Sequence, residues 1–362
     1  MALNHQLVCL DDYEKHAEKY ASLKVWSYYS SGADDETTLE DNRRSLRRIR
    51  LRPRVLRDVS IRDLKTTVLG SEIDMPIAIS PTAFHGWAHP DAEGGTARAA
   101  ANFKTCMILS NISTLSLEEI CSIRPDGVKW MDIYVWSNPR LTEDMILRAE
   151  RAGCKGIVVT VDNCKVGNKR RLARVTGSGV GKDSTVANFM TYLERGIIKN
   201  LDEVSCTTPS ATWTDIDWIK SITKLPIILK GIMTVEDALI AVERKVDAIM
   251  VSNHGGRQLD SVPATIDVLA GISRAVGDKI EVYMDGGVRT GTDVLKALAL
   301  GAKAVFIGRP IVFGLVHSGE QGVKNILQIL KEEFSLAMTL SGCRTIRDIS
   351  RSLVIENAPS RL

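Results

Sequence analysis

Eight short apolar runs separated by helix-like segments constrain this fold more than any other feature of the chain. They occupy residues 76–80, 107–110, 132–135, 156–160, 226–230, 248–251, 280–284 and 304–307. Each is apolar nearly throughout rather than alternating, as strands buried on both faces of a parallel sheet must be. Segments between them, such as 236–243 and 293–299, repeat apolar residues at helical spacing. Eight such β/α units predict a TIM (β/α)8 barrel. A doubly wound sheet would place a G-x-G-x-x-G turn after its first strand. Here the first run leads instead into Pro81-Thr82-Ala83.

The flanking segments divide the chain further. Residues 1–74 read as an N-terminal helical extension wrapping the barrel, with the basic run at 43–52 on a solvated face. Residues 75–354 read as the barrel itself. The stretch 165–214, after the fourth strand, is too long for an ordinary connection and is rich in Gly and Ser at 176–184, so it reads as a lid-like loop. Residues 355–362 form a tail. It ends Ser360-Arg361-Leu362, close to the peroxisomal address S-K-L with the positive charge kept. A peroxisomal import receptor is therefore an expected partner, and the peroxisome the expected location, with the cytoplasm as the alternative.

Composition excludes several classes. A net charge of +3 gives no case for nucleic acid. The seven cysteines contain no C-x-x-C pair, which speaks against a zinc site or a disulfide framework and for a reducing compartment. The first twenty residues lack the apolar segment of a signal peptide. No run approaches the ~20 apolar residues of a membrane helix.

The chemistry-bearing residues fall where the runs end, on the face where such barrels carry their active sites. Tyr134, Thr160, Asp162, Lys230, His254, Asp285 and Arg309 all lie there. The densest cluster is Ser252-Asn253-His254-Gly255-Gly256-Arg257-Gln258. An isolated histidine on a turn is more often structural. This one is followed by two glycines, which allow a sharp turn and close ligand approach, and by an arginine able to grip a carboxylate with two parallel hydrogen bonds. The histidine itself can move a proton near neutral pH. After the seventh and eighth runs come Asp285-Gly286-Gly287-Val288-Arg289 and Gly308-Arg309-Pro310. Backbone N–H groups at these two turns, with two arginines, predict a phosphate ligand.

Together with Tyr28-Tyr29-Ser30-Ser31-Gly32-Ala33, Arg52-Pro53-Arg54 and Leu229-Lys230-Gly231, these motifs resemble the FMN-dependent 2-hydroxy acid oxidase family over residues 10–354. The resemblance implies that FMN is the cofactor and a small 2-hydroxy acid the substrate. Dioxygen would reoxidise the flavin and yield hydrogen peroxide. His254 would be the base, Asp162 its orienting carboxylate, and Lys230 the cation beside the flavin's N1–O2 edge. Arg257 would clamp the substrate carboxylate, with Tyr28 and Tyr134 donating hydroxyl bonds. Pro81, Thr82, Ala83, Ser110, Thr160 and Ser252 would contact the flavin. Asp285, Gly287, Arg289, Gly308 and Arg309 would hold the ribityl chain and phosphate. Members of the family assemble as homo-oligomers, which implies a tetramer. Whether a proton leaves with hydride transfer or through a carbanion stays open.

Four positions depart from the family pattern. Asn163-Cys164 replaces Thr-Pro after Asp162. Lys169 stands where a second substrate arginine is expected, with Arg170 as a neighbouring substitute; lysine keeps the charge and loses the bidentate fork. Asp132 replaces a glutamine at the flavin's pyrimidine edge. Ile112 replaces a bulky aromatic, which should widen the substrate pocket toward medium- and long-chain acids. Two other readings remain: a dehydrogenase with a non-oxygen acceptor, and an FMN-binding paralogue of weakened turnover.

Overall fold

The computed structural model describes residues 7–177, 186–194, 196–204 and 208–355. Eight parallel strands close into a barrel: β1 (Ile77–Ile79), β2 (Met107–Leu109), β3 (Lys129–Ile133), β4 (Ile157–Thr160), β5 (Ile227–Ile232), β6 (Ala248–Val251), β7 (Glu281–Asp285) and β8 (Ala304–Ile307). β8 pairs with β1 to complete the ring, Phe306 lying opposite Ala78. The expected (β/α)8 architecture is thus present. Side chains such as Trp130, Tyr283 and Phe306 are fully buried and fill the barrel interior.

The third strand starts earlier than its apolar run. It covers Lys129–Ile133, so Asp132 lies within it and Tyr134 just beyond. A lysine reads as a strand boundary in sequence. Here Lys129 is buried at the strand's start, its ammonium donating to the carbonyls of Arg124 and Gly127.

The N-terminal extension comprises α1 (Leu10–Tyr20), α2 (Leu23–Ser30) and α3 (Thr37–Arg48). Ser22 caps α2 by accepting from Val25 N. On α3 the basic run is mixed. Arg44 and Arg47 are exposed, while Arg43 bridges Asp11 and Glu14 on α1. Beyond it, a hairpin of residues 66–68 and 71–73 packs Val68 and Ile73 into the barrel-interior cluster, closing the end opposite the strands' C-termini. The Tyr29 hydroxyl, at the end of α2, donates to the carbonyls of Ala83 and Phe84 at 2.9 and 2.6 Å. That pair of bonds fixes the extension across the mouth of the barrel.

The stretch after β4 is not an open loop. It holds α4 (Arg170–Thr176), α5 (Ala187–Glu194) and a turn of 3-10 helix at Leu201–Val204. Parts of it, 178–185, 195 and 205–207, lie outside the described residues, as does the tail segment with Ser360, Arg361 and Leu362. No helix among the described residues is long and apolar enough to cross a membrane.

Candidate active site

The C-terminal ends of the strands open into a cavity of about 1390 Å³. Ser80, Pro81, Thr82 and Ala83 line it after β1, and Ser110 and Ile112 after β2. Asp132 and Tyr134 come from β3, Thr160 from β4 and Lys230 from β5. His254 and Arg257 follow β6, Asp285, Gly287 and Arg289 come from β7 and its turn, and Gly308 and Arg309 follow β8. Tyr28 reaches it from α2 and Lys169 from the start of α4. Residues expected at the site are therefore brought together from all eight strands. Asp162 and Ser252 lie behind this wall rather than on it. Ser252 is fully buried and accepts from Lys230 Nζ and from His254 N, both at 3.1 Å.

His254 sits at φ 56° on a turn of 3-10 helix, a conformation held by Asn253, whose side chain accepts from Gly256 N and exchanges two hydrogen bonds with Asn42. Its Nδ1 lies 2.8 Å from Asp162 Oδ1. An ionised carboxylate only accepts, so Nδ1 carries the proton and Nε2 keeps a free lone pair. Burial holds the imidazole below its ordinary pKa against the pull of Asp162, with Lys230 and Arg257 adding to the lowering. Burial alone would raise Asp162; His254, which donates its Nδ1–H, and the Lys230 charge outweigh it and keep the carboxyl below its usual range. A neutral base beside an ionised orienting carboxylate is the pair that proton abstraction needs.

Residues outside the expected set position this pair. The Gln258 amide donates to Asp162 O, Asn163 Oδ1 and Lys165 O and accepts from Gly167 N, clamping the β4 turn onto the His254 turn. Gly231 packs against Asp162 from β5. At φ +113°, its added Cβ would fall 2.7 Å from Asp162 Cβ. Gly231→Ala should push the carboxylate off His254 Nδ1, slowing flavin reduction by about tenfold or more and destabilising the fold by about 1–3 kcal/mol through overpacking and strain. Stopped-flow reduction and thermal melts check both; an unchanged reduction rate would show that Asp162 need not be held.

Arg257 Nη1 donates to the carbonyls of Tyr28 and Ser31 at 2.6 and 3.0 Å, and the guanidinium lies 5.0 Å over the Tyr28 ring. These contacts fix its plane and leave the remaining N–H groups for an anion. Of the two candidates after β4, Lys169 faces the cavity, whereas Arg170 turns outward to Asp34 and Asp35. Burial and the neighbouring Arg257 bring the Lys169 amine down to about 7. It is charged below that pH and neutral above it, and a carboxylate binds the charged form. Affinity should therefore be greatest below pH 7 and weaken as pH rises through it. In Lys169→Arg this fall in kcat/KM should vanish; its persistence would assign the titration elsewhere.

Lys230 lies 3.7 Å from Asp285 Oδ2. Burial lowers its ammonium, but Asp285, Asp162 and Asp132 together raise it above the ordinary lysine value, so it is a fixed cation. Asp132 accepts from the Thr160 hydroxyl at 2.6 Å and from Asn111 Nδ2 at 3.0 Å. The expected phosphate end has two buried guanidiniums. Arg309 donates to the carbonyls of Tyr29, Gly255 and Ser31, and burial, Arg257 and Arg289 bring it down to about 9. Burial also lowers Arg289, whose Nε has no hydrogen-bond acceptor among the described residues, Glu14 stopping at 3.7 Å.

These features fit FMN. Two buried arginines on one cavity, one of them lowered by the other and by Arg257, call for an anion beside them. Asp285 Oδ1 is buried with no partner among the described residues, as a group awaiting a ribityl hydroxyl would be. The Gly286 and Gly287 backbone, at φ 94° and 83°, packs on Asn42 with no room for a side chain at Gly287, where a Cβ would fall 2.1 Å from Asn42 O.

Comparison with known proteins agrees. Residues 17–356 match the family model described as FMN-dependent dehydrogenase. The chain is 48% identical to 2-hydroxyacid oxidase 2 of Bos taurus, covering 96% of this chain and 98% of that one. It is 45% identical to glycolate oxidase 5 of Oryza sativa, covering 99% and 100%. Among solved structures it is similar to a mutant mandelate oxidase with (S)-mandelic acid, with TM-score 0.88 and 36% identity over 97% of this chain and 98% of that one. It is also similar to a mutant flavocytochrome b2 with pyruvate bound, with TM-score 0.88 and 35% identity over 97% and 87%. With a cavity at the barrel mouth that fits FMN and near full-length matches of this strength, the chain is an FMN enzyme belonging to the FMN-dependent dehydrogenase family.

Proposed function

We propose that this protein oxidises (S)-2-hydroxy acids to 2-oxo acids and passes the two electrons to dioxygen, giving hydrogen peroxide. The observation that carries this reading is the His254–Asp162 pair at 2.8 Å on the same cavity as Arg257. Arg257, aided by Lys169, binds the substrate carboxylate. Tyr28 and Tyr134 orient the hydroxyl group, and His254 Nε2 takes the proton as the alcohol becomes a carbonyl. Asp162 stabilises the imidazolium that results. Arg289, Arg309 and Asp285 would hold the phosphate and ribityl end of FMN, and Pro81, Thr82, Ala83, Ser110, Thr160 and Lys230 its ring, which would supply the two-electron acceptor. Lys230 would set a fixed positive charge beside that ring.

The preference for medium- and long-chain acids is supported by the cavity's apolar side, formed by Ile112, Leu172, Val186, Leu193 and Val204. Filling that side should reverse the preference. Ile112→Trp is expected to lower the ratio of 2-hydroxyoctanoate to glycolate turnover by about tenfold, the worth of two methylenes at ~0.8 kcal/mol each. An unchanged ratio would place the side chain elsewhere.

Dioxygen as acceptor is supported by relatives named as oxidases, and the (S) configuration by the mandelate oxidase neighbour. The flavocytochrome b2 neighbour keeps a dehydrogenase reading in view, differing only in what reoxidises the flavin. By family resemblance the protein is a peroxisomal tetramer. The test is anaerobic mixing with glycolate, lactate and 2-hydroxyoctanoate. The flavin should bleach, and peroxide should appear when air is readmitted. Bleaching without peroxide would favour another acceptor; no bleaching would overturn the enzyme reading.

A further inference from the structure

Asp132 is the departure from the family pattern with the largest electrostatic consequence. It lies in β3 with 3% of its surface exposed, on the cavity wall beside Thr160 and Lys230 of the next two strands. The resemblance places a glutamine here, a neutral group that both donates and accepts. A carboxyl offers that pattern only when it holds a proton.

The surroundings do not compensate a full negative charge. Its two donors, the Thr160 hydroxyl and the Asn111 amide, are uncharged. The cation facing it is Lys230, which also serves Asp285 at 3.7 Å and Asp162. Three carboxyls thus share one ammonium, although Asp162 also has His254. Tyr134, beyond the end of the same strand, also faces Asp132 and is held as a neutral phenol by burial. Burial lifts the Asp132 carboxyl to about 7, with Asp162 adding to the rise and Thr160 and Lys230 opposing it. Reducing the flavin places one more negative charge in this cavity, where little water screens it.

We propose that Asp132 makes reduction of the bound flavin proton-linked, its carboxyl taking up a proton when the flavin is reduced and releasing it on reoxidation. This rests on the reading of the cavity as the FMN site. The balance is explicit. Oxidised flavin takes two electrons and one proton to give the anionic reduced ring. Ionised Asp132 takes a second proton to become a neutral acid. Both electrons come from the 2-hydroxy acid in turnover, or from dithionite in the test.

The readout is the midpoint potential of the FMN-loaded protein against pH, measured by dithionite titration with reference dyes. A tenfold change in proton activity moves a two-electron couple by about 30 mV for each proton taken up. The native protein should show about 60 mV per pH unit in the range just above pH 7. Asp132→Asn, which keeps an acceptor for Thr160, should show a slope smaller by about 30 mV per pH unit over that range. Should Asp132→Asn fail to retain FMN, Asp132→Gln serves with the same criterion. Equal slopes in native and variant protein would overturn the proposal, because the second proton would then reside on His254 or another group. A yellow protein that 2-hydroxy acids fail to bleach would overturn the proposed function and leave this slope comparison intact. A protein that binds no FMN would overturn both.

Discussion

Replacing His254 with Gln is expected to slow flavin reduction by about 10²–10⁴-fold while the protein stays yellow. Glutamine can still accept a hydrogen bond but cannot take a proton, so the variant isolates the base function. The loss should appear in the anaerobic reduction rate, not in retention of FMN, because the groups assigned to its phosphate come from the β7 and β8 turns. The low basicity of His254 matters here. Burial keeps it neutral in the free enzyme, so at neutral pH it waits unprotonated, and Asp162 stabilises the charge only once it forms. A His254→Gln variant that reduces at the native rate would show that another group is the base.

The second large effect is expected at Arg257. Arg257→Met removes the fork that binds the substrate carboxylate, a buried charge-assisted contact worth about 2–5 kcal/mol. KM should rise by about 30–3000-fold at 1.4 kcal/mol per decade. Part of that loss has a second origin, because Arg257 Nη1 also holds the carbonyls of Tyr28 and Ser31. Arg257→Lys separates the two, since lysine restores charge without the fork and should recover only part of the affinity. Affinity for the 2-oxo acid product, read from the flavin spectrum, gives the same comparison without turnover. An unchanged product affinity in Arg257→Met would remove the clamp from the account.

The barrel could be read from the chain because strands buried on both faces are written as apolar runs, whatever the loops contain. The bounds of β3, read as 132–135 and found at Lys129–Ile133, were hidden because the strand carries two charged residues, Lys129 and Asp132, whose partners appear only in the fold. The 66–73 hairpin was hidden for a different reason. Two three-residue strands leave too little periodicity to read, and their value comes only from closing the barrel. At the site, the 252–258 turn was legible because its proton carrier and anion clamp are adjacent in sequence. The roles of Gln258, Asn111 and Tyr29 were not, because each acts on partners brought from other strands or turns. The Gln258 amide meets Asp162, Asn163 and Lys165 across the β4–β6 interval, and the Tyr29 hydroxyl meets the β1 turn. The choice between Lys169 and Arg170 likewise needed the position of α4, which directs Arg170 to the acidic pair at Asp34 and Asp35.

Proton abstraction as proposed requires the His254 imidazole and the Arg257 guanidinium to address the same substrate above a flavin at the barrel mouth. A crystal structure of the FMN-loaded protein with a bound 2-oxo acid tests it most directly. The acid's carboxylate is expected on Arg257, its keto oxygen within hydrogen-bond reach of His254 Nε2, and the phosphate between Arg289 and Arg309. An acid bound with its keto group turned away from His254, or a phosphate outside the two arginines, would contradict it.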